Sequence, residues 1–229
     1  MKLTYRPYEL LLKHPFKVAY GTRTKTDTVL VELEHEGYTG YGEASSPPYL
    51  GESTSSVSSF LDKLDSSQLN PLQFQDTVMY LDGVEKGNNA AKAAVDIALH
   101  DLLGKMEDKT LAGLMGIDLS KSVQSSYTVA MSAPGELEAK LEDAEDFPII
   151  KLKLGGGNDK ELVDRYLDHS SKPYYVDINQ GWKEPQRAVD MVNWLTEKGA
   201  MFIEQPMPVH MMAETARLTE QSSIPIIAD

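Results

Sequence analysis

Lys151 and Lys153 stand in the stretch PIIKLKLGGG, Pro148 to Gly157, which reads as a short buried strand. Side chains alternate along a strand, so both ammonium groups leave from one face and Leu152 from the other. Burying an ammonium costs on the order of several kcal/mol in lost solvation, so the pair marks a place where charge is used. Three later apolar runs end in acids: PYYVD at Asp177, AMFIE at Glu204 and IPIIAD at Asp229. Three convergent carboxylates need a cation, and hard oxygen ligands with room for water suit Mg²⁺ better than zinc. The five histidines, His14, His35, His100, His169 and His210, are scattered and show no zinc-site spacing. A lysine opposite such a metal, with a second ammonium two residues away, has its charged form disfavoured and becomes a candidate general base. That role falls to Lys153, with Lys151 as the neighbour that lowers its pKa. The reaction class is abstraction of a proton α to a carboxylate, the metal stabilising the charge that develops.

Regular elements must hold these groups. From Lys153 the acids follow at intervals of 24, 27 and 25 residues. One strand, one helix and two loops fill such an interval, and the alternation predicts a parallel sheet with right-handed crossovers. The charged residues then share the C-terminal ends of successive strands, where α/β barrels carry their chemistry. SYTVAMS precedes KLKL as a first strand, and YYVDIN, MFIEQP and PIIAD follow as third, fourth and fifth. The helices between them are SAPGELEAKLEDAE, with Ser132 and Pro134 at its start, then NDKELVDRYLDH with Asn158 as N-cap. EPQRAVDMVNWLTEKG follows, bracketed by Pro185 and Gly199, and then MMAETARLTEQ. Gly155 to Gly157 lacks the following GK[ST] of a phosphate loop and reads as the exit from the barrel rim. Trp182 and Trp194 read as packing residues.

The N-terminal half is different in kind. Residues 3 to 12, Thr28 to Leu33 and YTGYGEA predict an antiparallel meander, with Gly37 in a hairpin turn. AYGTRTKTD is a polar loop between the first two strands, either a plain connection or part of a lid. ASSPPYLGES is a second loop, carrying Tyr49. Helices are predicted over Thr54 to Leu64 and Pro71 to Leu81 and over AAKAAVDIALHDLLGK, stopped by Gly104, whose alanines point to close packing.

Composition narrows the classes further. The chain has 229 residues, 41 % of them hydrophobic, and a formal net charge of −13, which disfavours nucleic acid and anionic membranes as partners. It has no cysteine, which excludes disulfides and thiolate metal sites and fits a cytoplasmic protein. Charges interrupt the short apolar run of MKLTYRPYELLLKHPF, so it is read as neither signal peptide nor membrane span. A homo-oligomer is compatible with the sequence.

KLKL followed by DINQGW, FIEQP and PIIAD resembles the enolase superfamily, in particular its branch with a KxK motif on the second barrel strand. The likeness extends to HPFKVAYGTRT and YGEASSPPYLGES, similar to the two loops of that family's capping domain, and to AAKAAVDIALHDLLGK, similar to its linking helix. The resemblance implies an α/β protein: an α+β capping domain over residues 1 to 118 and the first five strands of a TIM-like (β/α) barrel over 119 to 229, the active site between them. It makes Lys153 the acid/base with Lys151 beside it, and Asp177, Glu204 and Asp229 the Mg²⁺ ligands. Asn179 and Thr128 become supports near the substrate, with Gly21, Arg23 and Tyr49 in the capping loops. The whole looks most similar to dipeptide epimerases, though Gly21 stands where those specific for Ala-Glu have arginine. Other KxK reactions, o-succinylbenzoate synthesis and muconate cycloisomerisation, stand as alternatives, as does a metal-binding fragment without activity. In the family a second lysine on the sixth strand and an Asp-x-Asp segment on the eighth complete the site. An unpaired apolar fifth strand is an exposed edge, so the expectation is that the 229 residues belong to a longer chain or have a completing partner.

Overall fold

A computed structural model describes residues 1–18, 21–47, 50–130 and 136–229. They form two compact units, Met1–Leu11 with Lys25–Ser122, and Leu12–Thr24 with Val123–Asp229.

Three strands, β1 (Lys2–Val18), β2 (Gly21–His35) and β3 (Tyr38–Ser45), make one sheet in the order β1-β2-β3. β2 and β3 are antiparallel, with His35 opposite Tyr38. The two residues between them, Glu36 and Gly37, have φ of 48° and 83°, the left-handed pair a tight hairpin demands. The polar stretch expected to be a loop is mostly strand: β2 begins at Gly21, and residues 21–25 are exposed. Backbone pairing between long neighbouring strands satisfies their N–H and C=O groups, so β structure persists there without an apolar face.

The first unit is completed by α1 (Thr54–Leu61), α2 (Phe74–Val84), α3 (Asn89–Met106) and α4 (Leu111–Leu114). α3 buries Ala91, Ala94, Val95, Ala98, Leu99 and Leu102, the face its sequence period predicts. Its alanines meet β3 at Gly40 and Gly42: a Cβ on Gly42 would lie 1.9 Å from the Ala94 carbonyl oxygen, and one on Gly40 2.1 Å from that of Ala98. Only hydrogen fits in that gap. Gly104 does not stop the helix, which runs two residues further, because one glycine lowers helix propensity without preventing the next hydrogen bond. At the other end Asn88 makes no side-chain cap; the Glu52 carboxylate accepts from the amides of Asn89 (2.7 Å) and Ala90 (2.9 Å).

In the second unit five strands form a sheet in the order β4-β5-β6-β7-β8, every neighbouring pair parallel. They are β4 (Ser126–Val129), β5 (Ile149–Lys153), β6 (Tyr174–Asp177), β7 (Ile203–Glu204) and β8 (Ile226–Ile227). Helices α5 (Glu136–Asp143), α6 (Asp159–His169), α7 (Pro185–Glu197) and α8 (Met212–Gln221) alternate with them. Ser132 and Pro134, expected at the start of the first of these helices, lie outside the described residues. Asn158 occupies the N-cap position of α6 but makes no capping hydrogen bond; the neighbouring Asp159 carboxylate turns back onto the preceding loop instead. α7 opens on Pro185, and Gly199 just beyond it has φ 81°, the left-handed residue that lets the chain turn away.

Register makes one row of the sheet apolar: Val129, Leu152, Val176, Ile203 and Ile226 are level with one another. The first four are fully buried, in a core with Val163, Ala188 and Leu195 of the helices. Because alternate residues face opposite sides, the row one step on must look away from that core. Residues Leu12–Thr24 are held in this unit by Asp143, which accepts from Lys13 Nζ (2.6 Å) and pairs with His14 Nε2 (2.7 Å). No helix among the described residues is long and apolar enough to cross a membrane.

Candidate active site

The row after the apolar one reads Lys153, Asp177, Glu204 and Ile227 across β5 to β8. Below it Thr128, Lys151 and Tyr175 are level across β4 to β6. Parallel pairing therefore places both lysines and two of the three acids on one face, at the C-terminal ends of adjacent strands.

The four charged groups form one network. Lys151 Nζ donates to both oxygens of Glu204, at 2.9 and 2.7 Å, and lies 2.8 Å from Asp177 Oδ2. Lys153 Nζ donates to Asp177 Oδ2 (2.5 Å) and to Asn179 Oδ1 (2.9 Å). The Asp177 side chain is 1 % exposed, so its charge is compensated almost entirely by these ammonium groups. Burial raises the Asp177 carboxyl, but the hydrogen bonds from Lys151 and Lys153 outweigh it and hold the group below the usual carboxylate range. Glu204 is held above that range, first by burial and then by the Asp177 charge beside it, against the pull of Lys151. Burial lowers Lys151, yet its hydrogen bonds to Asp177 and Glu204 leave it above the ordinary lysine value. The sequence reading set the two ammonium groups against each other; in the folded chain a carboxylate stands against each of them.

Asp229 does not join this network. It lies two residues past Ile227, the partner of Glu204, beyond the end of a two-residue strand, and is exposed. Among the described residues, no group of three or more His, Cys, Asp or Glu side chains is placed to hold a metal ion. The expected convergence of three carboxylates is thus realised for Asp177 and Glu204 only, because strand pairing fixes those two and stops before Asp229. This pair can hold a divalent cation: a single atom, Lys151 Nζ, already lies within 2.9 Å of oxygens from both. The donors are hard oxygens, as Mg²⁺ requires.

Of the remaining candidates, Thr128 is half-buried and level with Lys151. Asn179 is buried, donates its backbone N–H to Asp177 Oδ1 (3.0 Å) and adopts φ 45°. Gly21 and Arg23 lie in the exposed first residues of β2; the Arg23 guanidinium sits 5.6 Å from the Phe16 ring centroid. Among the described residues neither hydrogen-bonds to the lysine–carboxylate network, and Tyr49 lies outside the described residues.

Sequence reasoning missed Tyr175, which lies two residues before Asp177 and so on its face. Lys151 Nζ is 5.7 Å from its ring centroid, Phe202 stacks on it at 4.2 Å, and its hydroxyl bonds Ser126 Oγ at 2.8 Å. The same alternation that pairs Lys151 with Lys153 would have found it.

Comparison with known proteins agrees with this architecture. Residues 3–116 match the N-terminal domain of mandelate racemase / muconate lactonizing enzyme, and residues 136–229 match the enolase C-terminal domain-like family. The chain is 46 % identical over 231 residues to an L-Ala-D/L-Glu epimerase of Bacteroides thetaiotaomicron, covering 100 % of this chain and 60 % of that protein. It superposes with TM-score 0.86 and 27 % identity on a dipeptide epimerase from Enterococcus faecalis complexed with Mg and L-Leu-L-Tyr, covering 99 % of this chain and 66 % of that one. The corresponding values for a substrate-liganded L-Ala-D/L-Glu epimerase from Bacillus subtilis are 0.85 and 25 %, over 100 % and 67 %. The chain thus spans about 60 % of the length of the curated relative, and its five-stranded sheet is part of a TIM-like barrel. With both domains matched in order along it, this chain belongs to the enolase superfamily.

Proposed function

We propose that this chain serves the Mg²⁺-dependent epimerisation of a dipeptide, with Lys153 as the acid/base on one face of the substrate α-carbon. The observation that carries the reading is the single buried network of Lys151, Lys153, Asp177 and Glu204 at adjacent strand ends. Asp177 and Glu204 would hold the metal, with Asp229, which stands outside their network in this structure, as the proposed third ligand. When bound, Mg²⁺ supplies positive charge against the substrate carboxylate as its α-proton leaves. The relatives named as dipeptide epimerases support this substrate class.

The described residues serve one face of the α-carbon; the proton returned to the other face would come from the second lysine that the family resemblance puts on the sixth barrel strand. Asp177 and Glu204, now paired with Lys151 and Lys153, would turn to a bound cation instead, and both amines would then be released from their acids. The Lys153 amine, once released from Asp177, is the group that accepts the α-proton. Asn179 Oδ1, 2.9 Å from Lys153 Nζ, holds the amine in position during that exchange. Thr128, level with Lys151, borders the substrate. The absence of cysteine supports a cytoplasmic setting.

The test is calorimetric titration of Mg²⁺ into the full chain. Glu204→Gln should weaken binding by more than the roughly 10- to 100-fold that losing a mere supporting partner costs, and Asp229→Asn should weaken it in the same direction. Unchanged affinity in Glu204→Gln overturns the metal site. A wild-type chain that incorporates no deuterium at the α-carbon of any dipeptide in a mixed library overturns the reaction.

A further inference from the structure

Asp159, the first residue of α6, has a carboxylate that the mechanism above does not use. It is 3 % exposed, and both of its oxygens are engaged. Oδ1 accepts from the amides of Gly155 (2.8 Å) and Gly156 (3.2 Å), in the loop that follows Lys153. Oδ2 accepts from the indole Nε1 of Trp182 (3.0 Å), in the loop that follows Asp177. Trp182, read from sequence as a packing residue, is 1 % exposed and is also a hydrogen-bond donor.

The two loops touch backbone to backbone. A Cβ on Gly181 would lie 2.6 Å from Gly155 Cα and 2.9 Å from its carbonyl oxygen. Asn179 and Gln180 have φ of 45° and 66°, and Gln205 after Glu204 has 42°, a region that non-glycine residues rarely adopt. Such geometry persists only where the surroundings impose it. Here Gln180 N–H donates to Gln205 O (2.9 Å) and Trp182 N–H to Pro206 O (3.1 Å), so the loop pinned by Asp159 also braces the one after Glu204. Asn179, the partner of Lys153, sits inside this braced segment.

We propose that Asp159 is a positioning residue of the site: through Gly155, Gly156 and Trp182 its carboxylate locks together the loops that aim Lys153, Asp177 and Asn179. The proposal rests on the epimerase reading above. A carboxylate can accept at both oxygens, whereas an amide must present one donor. Asp159→Asn therefore sets an N–H₂ group against either the indole N–H or the glycine amides. Trp182→Phe removes the indole donor and keeps most of the ring.

In the full chain, Asp159→Asn should lower Mg²⁺ affinity and kcat about 10- to 100-fold, as loss of such supporting partners does. KM for the dipeptide should change less than about threefold, since the substrate contacts stay in place. Adding Trp182→Phe to Asp159→Asn removes the donor–donor clash without rebuilding the link, so the double variant should recover at most to the level of Trp182→Phe alone. Were Asp159→Asn not to fold, Trp182→Phe alone carries the test, with kcat lowered several-fold at unchanged KM. Wild-type kcat and Mg²⁺ affinity in the folded variant, whatever its Tm, overturn the proposal. If the wild type neither binds Mg²⁺ nor epimerises, the functional reading has failed by itself, and amide hydrogen exchange decides this one. Protection lost at Gln180 and Trp182 in Asp159→Asn supports the lock, and unchanged protection refutes it.

Discussion

At the scale of single residues, the site is a problem of charge compensation. Two ammonium groups and two carboxylates are packed at adjacent strand ends with side chains no more than 16 % exposed. Removing either sign leaves the other uncompensated, which costs more than the pair contributes. In the proposed reaction the lysines are not interchangeable. Lys151 is engaged by both acids, while Lys153 is engaged by Asp177 and by a neutral amide, and so it is the amine more readily released. In the full chain, Lys153→Ala should abolish α-proton exchange with D₂O from one substrate stereoisomer while Mg²⁺ binding persists. Exchange of both isomers at wild-type rates would remove Lys153 from the role. Both lysines and Asp177 were legible in the sequence because a period of two and a terminal acid are local signals. Asp159 was not, since nothing local distinguishes an acid at a helix start facing solvent from one turned inward onto two loops.

At the scale of elements, close approach sets the tolerances. β3 presents Gly42 to Ala94 of α3, leaving no room for a methyl group, whereas a Cβ on Gly83 in α2 would meet nothing within 4 Å. The same substitution should then have opposite signs. Gly42→Ala should destabilise by roughly 3 kcal/mol, the upper end of overpacking in a core, and Gly83→Ala should stabilise by about 0.5 kcal/mol through helix propensity. Urea denaturation monitored by circular dichroism compares them, and equal shifts in the two variants would contradict the packing argument. In the second unit the strand β6 begins with Tyr174, which burial, and then the charges of Tyr166 and Asp164, push up to about 12. Its hydroxyl donates to the Lys198 carbonyl at 3.1 Å. A phenol whose folded pKa lies above its unfolded value of about 10 contributes fully below pH 10. That contribution drains away as pH rises through the folded value. Stability of roughly 2 kcal/mol should disappear between about pH 10 and 12. Tyr174→Phe should flatten that part of the profile, and an unchanged alkaline slope would assign the loss elsewhere.

For the whole molecule, 35 acidic against 22 basic side chains give a net charge of −13. Apart from the buried network, most of the ion pairs are exposed and contribute little individually. Self-repulsion across a molecule this acidic is long-ranged and falls within a Debye length of about 8 Å at physiological ionic strength. Thermal stability of the full chain should therefore rise by a few degrees from low salt to about 0.15 M NaCl, where the Debye length reaches that value. A scanning-calorimetry series in NaCl checks this, and a falling Tm would mean that the exposed ion pairs outweigh the repulsion.

What the sequence determined by itself is everything periodic or local. It includes the alternation that puts Lys151 with Lys153, the strand-end acids at regular intervals, the apolar face of α3, and the Glu36-Gly37 hairpin. It also includes the order of strands and helices, because each element carries its own hydrophobic period. Tertiary structure decided which residues stand level across strands. Hydrogen bonding between neighbours aligns Lys153 with Asp177 and Glu204 and leaves Asp229 past the end of the ladder. It also turned Asp159 and Trp182 toward each other across 23 residues of chain. Register and long-range contacts belong to the assembled sheet, where many backbone bonds act together, and no single stretch of sequence encodes them.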